Sequence, residues 1–406
     1  MLGALSEQDS TRLKVDELID GIRIESTSWV GVVRLDSLDI CITPKLPGDS
    51  LDLARMLDVA FGLDALTRFK AVRPLAIEGM NLFDLLAALL SEETSALIRD
   101  GLMRDYMEHE AALPVMRGRV LWDRQLFRRF SRMDRIECRF DERTGDIAEN
   151  RVLVAALGAC SRRVVNPVVR RSVRRHHALL SSQATTPANP LRLREEISYN
   201  RLNRRYRTAH EFSWLILEHI SIEDPLSTGS LGSFTFMLDM NSIFEKFVQR
   251  AFEWVLEGRD LEVQYQRERA GVFWDMQRRK SYSRVKPDLL IRSRAAPRRA
   301  FPVDVKYKKY TGRKVSPADT YQLLTYALGF TRGDVIGQAA LVYPSSVDPS
   351  DHHRVQFKRR GDATAEIQVQ GLYIPRLLDE MEANRRDGEV ARSLRRLAGS
   401  ASEVGG

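Results

Sequence analysis

The sequence predicts a mixed fold of the α/β type, α+β overall: a small N-terminal β/α domain, a helical middle, and a C-terminal core in which helices flank a sheet. Three observations carry this expectation. Residues 285–309 hold two short apolar runs, Leu289-Leu290-Ile291 and Phe301-Pro302-Val303, on either side of a basic, proline-containing connection, which is the pattern of a β-hairpin with a longer loop. Upstream, Phe244, Phe247, Val248, Ala251, Val255 and Leu256 recur at helical spacing. Downstream, Ser316-Pro317-Ala318-Asp319 opens a helix with Ser as N-cap and Pro at the first position, and Ala339-Ala340-Leu341-Val342-Tyr343 reads as one more strand. The order helix, strand, strand, helix, strand is that of an α/β core.

At 406 residues the chain is long enough for two or three domains, and a hydrophobic content of 43% is enough to build their cores. The expected divisions are 1–110 (β-meander plus helices), 111–232 (a mainly helical, basic linking region), 233–383 (the α/β core) and 384–406 (a disordered tail). The formal charge of +8 is compatible with nucleic-acid binding without demanding it. Cys41, Cys138 and Cys160 lie far apart without metal-ligand spacing, which fits reduced thiols better than a disulfide framework or a zinc site. No run approaches the roughly 20 apolar residues of a membrane span. The N-terminal segment lacks a signal-peptide core, so a cytoplasmic location with no membrane partner is expected.

Taken in order, Trp29-Val30-Gly31-Val32-Val33-Arg34-Leu35 and Leu38-Asp39-Ile40-Cys41-Ile42-Thr43 alternate or run apolar about a turn at Asp36-Ser37. Residues 22–46 therefore read as a small antiparallel meander. A helix is expected from about Leu51, with Leu53, Met56, Leu57, Ala60 and Phe61 on one side and Gly62 as its C-cap. Nothing here suggests catalysis, which makes this region a candidate partner-binding module. Residues 81–110 read as helical, from Leu82 and Phe83 through Tyr106 and Met107, and residues 136–141 as a strand. A helix opening at Asn150 passes into residues 162–177, where Arg162, Arg163, Arg170, Arg171, Arg174 and Arg175 make either a solvated face or a surface for DNA phosphates. Residues 181–190 read as a linker and about 208–221 as a helix. Beyond the core, 354–358 and 365–373 read as strands, 374–383 as a helix, and the remainder as frayed.

The hairpin carries the chemistry. Alternate side chains of a strand share a face, which groups Asp304, Lys306 and Lys308 opposite Val303, Val305 and Tyr307. In the simplest register Asp288 lies beside Asp304, placing two carboxylates and a lysine together on a sheet edge. Such carboxylates repel, and burial penalises both unless a cation compensates. Mg²⁺, with Mn²⁺ as a substitute, is the fitting ion, because it binds through one or two carboxylates, waters and a substrate phosphate. The lysine can orient or deprotonate a water, or stabilise charge on the phosphate. The same residues also suit a hairpin whose charges simply face water; the neighbouring segments favour the site.

The order Pro287-Asp288 … Asp304-x-Lys306 resembles the PD-(D/E)xK nuclease superfamily, and Gln322-x-x-x-Tyr326 on the following helix resembles its RecB-like branch. That resemblance implies a restriction-endonuclease-like core over 233–383. It also implies Asp288, Asp304 and Glu245 as Mg²⁺ ligands, the last from the preceding helix, with Lys306 acting on water or phosphate and Gln322 orienting the site or touching DNA. Lys308, Arg170, Arg171 and Arg174 are candidates for DNA contacts. Further stretches widen the likeness: Ile40-Cys41-Ile42-Thr43-Pro44-Lys45, Gly101-Leu102-Met103-Arg104-Asp105-Tyr106, Arg117-Gly118-Arg119, Leu202-Asn203-Arg204-Arg205-Tyr206 and Met240-Asn241-Ser242-Ile243-Phe244-Glu245. Over about residues 20–345 the chain resembles the McrC family, the nuclease subunits of McrBC-type 5-methylcytosine restriction systems.

The resemblance implies an endonuclease for double-stranded DNA that works with a McrB-like AAA+ GTPase hexamer. The partner recognises methylated DNA, the present subunit stimulates its GTP hydrolysis and cuts, and the N-terminal part docks on the ring. GTP is expected on the partner, because no Gly-x-x-x-x-Gly-Lys-Ser/Thr loop occurs in this chain. Two other readings use the same features: a stand-alone repair or recombination nuclease, and a non-cutting adaptor that activates a ring NTPase.

Overall fold

A computed structural model describes residues 13–35, 38–44, 50–63, 80–130, 134–222, 234–295, 300–331, 336–347 and 352–403. The expected turn at Asp36-Ser37, the strand stop from Lys45 onward and the loop at 229–232 lie outside them. The chain divides into two units, Met1–Asn81 with Ser221–Gly406, and Leu82–Ile220, so the boundaries fall at 81 and 220 rather than at 110 and 232.

The first unit opens with β1 (Leu13–Leu18) and β2 (Gly21–Ser26), an antiparallel hairpin of their own. β3 (Trp29–Leu35) and β4 (Leu38–Ile42) pair antiparallel as their alternation predicts. The helix Ser50–Phe61 follows with Leu53, Met56, Leu57 and Ala60 buried, and Gly62 takes the left-handed C-cap conformation at φ +62°.

In the second unit the helix Leu82–Arg99 stops well short of residue 110. Gly101 turns the chain at φ +83°, and Asp105–Leu113 is a strand, β5, on which Tyr106 and Met107 are exposed. β6 (Arg119–Val120) and β5 flank β7 (Ile136–Thr144), so the region expected to be mainly helical contains a three-stranded sheet. Gly118 admits β6 at φ +68°, where a Cβ would collide with the Arg139 carbonyl. The helix Trp122–Arg128 beside it buries none of its residues, and Val115, Met116, Trp122, Phe127 and Phe130 are exposed.

The helices Ala148–Ser161, Pro167–Ser181 and Arg207–His219 pack with Leu82–Arg99. Tyr206 Oη accepts from the Met103 N–H at 2.7 Å and donates to Asn150 Oδ1 at 3.1 Å, while Asn150 Nδ2 donates to the Met103 carbonyl at 3.0 Å. These bonds tie together two of the stretches that carry the family resemblance.

The chain returns to the first unit through β8 (Ile220–Ile222) and β9 (Phe234–Asp239). The sheet order is β4-β3-β9-β8, so the strand beside β3 comes from far along the chain and β2 does not join the meander. Residues Phe234 to Leu238 of β9 are all buried, and the strand needs cover on both faces. Gly31 makes the close pairing possible: at φ +149°, a Cβ there would strike the Phe236 carbonyl oxygen. β9 runs into the helix Met240–Leu256, which Asp239 caps by accepting from the Asn241 N–H at 3.0 Å.

Next come β10 (Leu261–Tyr265), the separate hairpin of β11 (Arg269–Asp275) and β12 (Lys280–Val285), β13 (Leu289–Ser293) and β14 (Ala300–Val305). The helix Pro317–Phe330 leads to β15 (Gly337–Pro344), then β16 (His352–Arg359) and β17 (Asp362–Leu372). The main sheet has the order β10-β13-β14-β15-β17-β16. Its β14/β15 and β15/β17 pairs are parallel and the others antiparallel. The helix Pro317–Phe330 is the crossover that a parallel pair requires. It covers one face, through Leu323, Tyr326, Ala327 and Phe330 against Leu290, Ala339, Leu341 and Tyr343. The helices Met240–Leu256 and Glu389–Glu403 pack on the opposite face.

The segment 384–406 is not a disordered tail as far as residue 403. Glu389–Glu403 is a helix whose Val390, Ala391, Leu394, Leu397 and Ala398 are buried, a narrow apolar stripe that the intervening arginines and small residues obscure in the sequence. The buried Glu380 carboxylate, on the helix Ile374–Glu382, accepts from the Val390 N–H at 3.2 Å and the Ala391 N–H at 2.9 Å and so caps it. Leu394→Ala at this fully buried position is expected to lower the unfolding free energy by about 2–5 kcal/mol in urea denaturation; a frayed tail would give no change.

Candidate active site

Asp288 immediately precedes β13, and Asp304 lies one residue from the end of β14. The pairing of Leu289 with Val303 brings the two aspartates together, as the hairpin register predicts. The Val305 N–H donates to Asp288 Oδ2 at 2.7 Å, which clamps the carboxylate against the neighbouring strand. Lys306 has left the strand, its N–H bonded to the Val342 carbonyl at 2.9 Å, and its Nζ folds back to stand 3.2 Å from Asp304 Oδ1 and 3.1 Å from Oδ2. The expected trio therefore forms. It does not stand at a sheet edge: β14 lies between β13 and β15, because the parallel pairing with β15 covers the side that a hairpin alone would leave open.

Asp304 is 0% exposed. Burial, with Asp288 alongside, pushes its carboxyl up to about 7 in spite of Lys306. Burial also raises Asp288, with the Val305 N–H opposing and Glu245 adding to the rise. At Lys306 burial works against the charge, but Asp304 and Asp288 prevail and hold the ammonium above its ordinary range. An ammonium thus faces two carboxyls that cannot both ionise freely.

The residues fit a divalent cation. Asp304 Oδ2 is buried and makes no hydrogen bond, although the lysine ammonium stands nearby; a buried oxygen of this kind beside a second carboxylate suits a hard ion. Asp288 and Asp304 are the side chains that would hold it. Among the described residues no three His, Cys, Asp or Glu side chains close on one point, so Glu245 does not complete a three-acid shell. It stands at the margin. Its Oε2 is 3.4 Å from both Tyr265 Oη and Gln266 Nε2, burial raises its carboxyl, and its charge reaches Lys306 and Asp288.

The other candidates separate. Gln322 Nε2 donates to Tyr326 Oη at 2.9 Å, and that hydroxyl, within electrostatic reach of both aspartates, donates to the Lys286 carbonyl at 2.9 Å, anchoring the turn that carries Pro287 and Asp288. Lys308, whose side chain is half exposed, bonds Asp319 through its Nζ at 2.8 Å. The buried Asp319 also accepts from Ser316 Oγ at 2.6 Å and from Tyr310 Oη, which ties the loop after β14 to the start of the next helix. Sequence reasoning saw Asp319 only as a first-turn acid. The Ser-Pro-x-Asp cap was its one local signal, and nothing local showed that Lys308 and Tyr310 converge on it. Arg170, Arg171 and Arg174 are exposed on the helix Pro167–Ser181 of the other unit, while His176 in the same run is buried with its Nδ1 2.9 Å from Ser91 Oγ.

The raised Asp304 carboxyl makes stability depend on pH. Between its ordinary value of 3.8 and about 7 the folded protein holds a proton that the unfolded chain has lost, so this contribution is complete below 3.8 and falls as pH rises through about 7. Asp304→Asn removes the decline. Thermal denaturation in a chelator is expected to give the variant the higher Tm at about pH 8, with the difference shrinking towards pH 4.

A family model described as a McrBC 5-methylcytosine restriction system component matches residues 24–344. No curated protein matches the chain. Among solved structures, it is similar to a chain in the refined half-complex from the tetradecameric assembly of Thermococcus gammatolerans McrB AAA+ hexamers with bound McrC, with a TM-score of 0.64 and 19% identity, covering 91% of this chain and 85% of that one. A chain in the cryo-EM structure of the T. gammatolerans McrBC complex matches with a TM-score of 0.47 and 23% identity, covering 61% and 72%. The first of these likenesses speaks for the fold, and the family model spans most of the sequence. The chain belongs to the family of McrBC 5-methylcytosine restriction system components.

Proposed function

We propose that this chain is the Mg²⁺-dependent endonuclease subunit of a modification-dependent restriction complex, with a core of PD-(D/E)xK type, cutting double-stranded DNA together with a McrB-like AAA+ GTPase whose hydrolysis it stimulates. The observation that carries the reading is the trio of buried Asp304 with half-buried Asp288 and Lys306, in which Asp304 Oδ2 makes no hydrogen bond. The two carboxylates would hold the ion, which when bound polarises a phosphoryl oxygen and acidifies water. Lys306 keeps its proton beside these acids, which suits it to stabilise charge developing on the phosphate and to orient the attacking water rather than to deprotonate it. Glu245, outside the two-carboxylate pair, suits an acid reached through a water. Gln322 acts through Tyr326 on the position of Asp288.

Family membership supports the rest. The structurally similar assembly contains McrB AAA+ hexamers with bound McrC, and by that likeness this chain works on a ring hexamer that carries the GTP. A docking role for the N-terminal region accords with the β1–β2 hairpin, which exposes Leu18, Ile19, Ile22 and Ile24. Arg170, Arg171 and Arg174, exposed and mutually adjacent on one helix, suit sequence-independent phosphate contacts.

Cleavage of methylated and unmethylated plasmid tests the proposal, with the chain alone and with its ring GTPase plus GTP and Mg²⁺. Methylation-dependent cutting only in the complete mixture is the expected result; cutting by the chain alone would replace it with a stand-alone nuclease. Asp304→Asn and Lys306→Gln are each expected to reduce cutting by about 10²–10³-fold while GTP hydrolysis stays stimulated. Glu245→Gln should cost less than either. Stimulated hydrolysis with no cutting under any condition would leave an adaptor.

A further inference from the structure

A cavity of about 340 Å³ opens between β16, β17 and the helix Glu389–Glu403. It lies on the face of the main sheet opposite Asp304, because Gln368 and Gln370 of β17 pair across β15 with Ala340 and Val342, whereas Asp304 pairs with Leu341. His352 stands opposite Gln370 and Arg354 opposite Gln368, so these four side chains form two adjacent rows. Arg396 and Leu397 of the helix close the other side. The two glutamines are buried, at 4% and 2% exposure, and make a polar floor. The rim is cationic. Burial, then Arg354 and Arg396, lower the basicity of His352, which places all three within electrostatic reach of one another. Glu366 is the carboxylate facing this group, 3.6 Å from Arg354, and occupies one side of that guanidinium. Arg396 bonds Ser393 Oγ at 3.3 Å and has no carboxylate partner among the described residues.

A polar floor under two guanidiniums and an imidazole suits a group that carries several acceptor oxygens and negative charge. We infer that the cavity is a phosphodiester-binding subsite for the DNA backbone, on the face of the sheet away from Asp304 and Lys306. The inference rests on the nuclease reading above.

The test uses the full complex with its ring GTPase, in an Asp304→Asn background that prevents cutting. Binding of a methylated duplex is measured by fluorescence anisotropy over a range of salt, with and without the further changes Arg354→Gln and Arg396→Gln. Melting curves establish that the fold is kept. The expected result is binding weaker by about tenfold, with the dependence of log affinity on log salt shallower by about one to two. Unchanged affinity and slope overturn the inference while leaving the nuclease reading in place. Inorganic phosphate is titrated in parallel, followed through the His352 ring protons. Phosphate binding lost in the variant while duplex binding is untouched would assign the cavity to a small free anion and overturn the DNA assignment. Absence of duplex binding by either protein overturns the nuclease reading and this inference with it.

Discussion

The register of β13 against β14 is the constraint on which the site depends. A slip of one residue would turn every side chain of one strand to the other face of the sheet and separate Asp288 from Asp304. Leu289, Leu290, Ile291, Phe301, Val303 and Val305 are all buried, so a slip would have to displace packed side chains on both faces. The hydrogen bond from the Val305 N–H to Asp288 adds a polar lock that exists in one register alone. A two-carboxylate site is thus written into strand pairing rather than into a flexible loop.

The same burial makes the site costly to the fold. A buried carboxyl beside a half-buried one is restrained by one ammonium, so the core carries an electrostatic burden that its packing must offset. The surroundings are built to hold it still. Tyr326 pins the turn before Asp288, and Asp319 gathers Lys308, Tyr310 and Ser316 so that the chain leaving Lys306 follows one path. These bonds hold the chain on either side of the pair and so help determine where both carboxylates stand.

Much of this was legible in the sequence because the signals are local. The alternation in β3 and β4, the helical stripe of Met240–Leu256, the Ser316 cap and the Asp288…Asp304-x-Lys306 spacing each lie within a few residues of what they specify. What escaped depends on partners distant in the chain. The neighbour of β3 is β9, and the strand character of residues 105–113 appears only when β7 is beside them. The ion pair of Lys308 with Asp319 likewise joins residues that no local pattern connects. The closing helix read as a tail because arginines and small residues break up its apolar stripe, which makes sense only against the sheet and the Glu380 carboxylate.

The pairing of β3 with β9 has a consequence for how the protein is made. The second unit is one continuous segment, Leu82–Ile220, so its contacts can close while the chain is still emerging from the ribosome. The first unit cannot: β3 must wait for residues 234–239, and the sheet that bears Asp288 and Asp304 lacks part of its cover until Glu389–Glu403 has been synthesised. Chains interrupted anywhere before that helix leave the carboxylate pair without its finished sheet. The finished surroundings of the pair are therefore acquired only once residues 389–403 have been made.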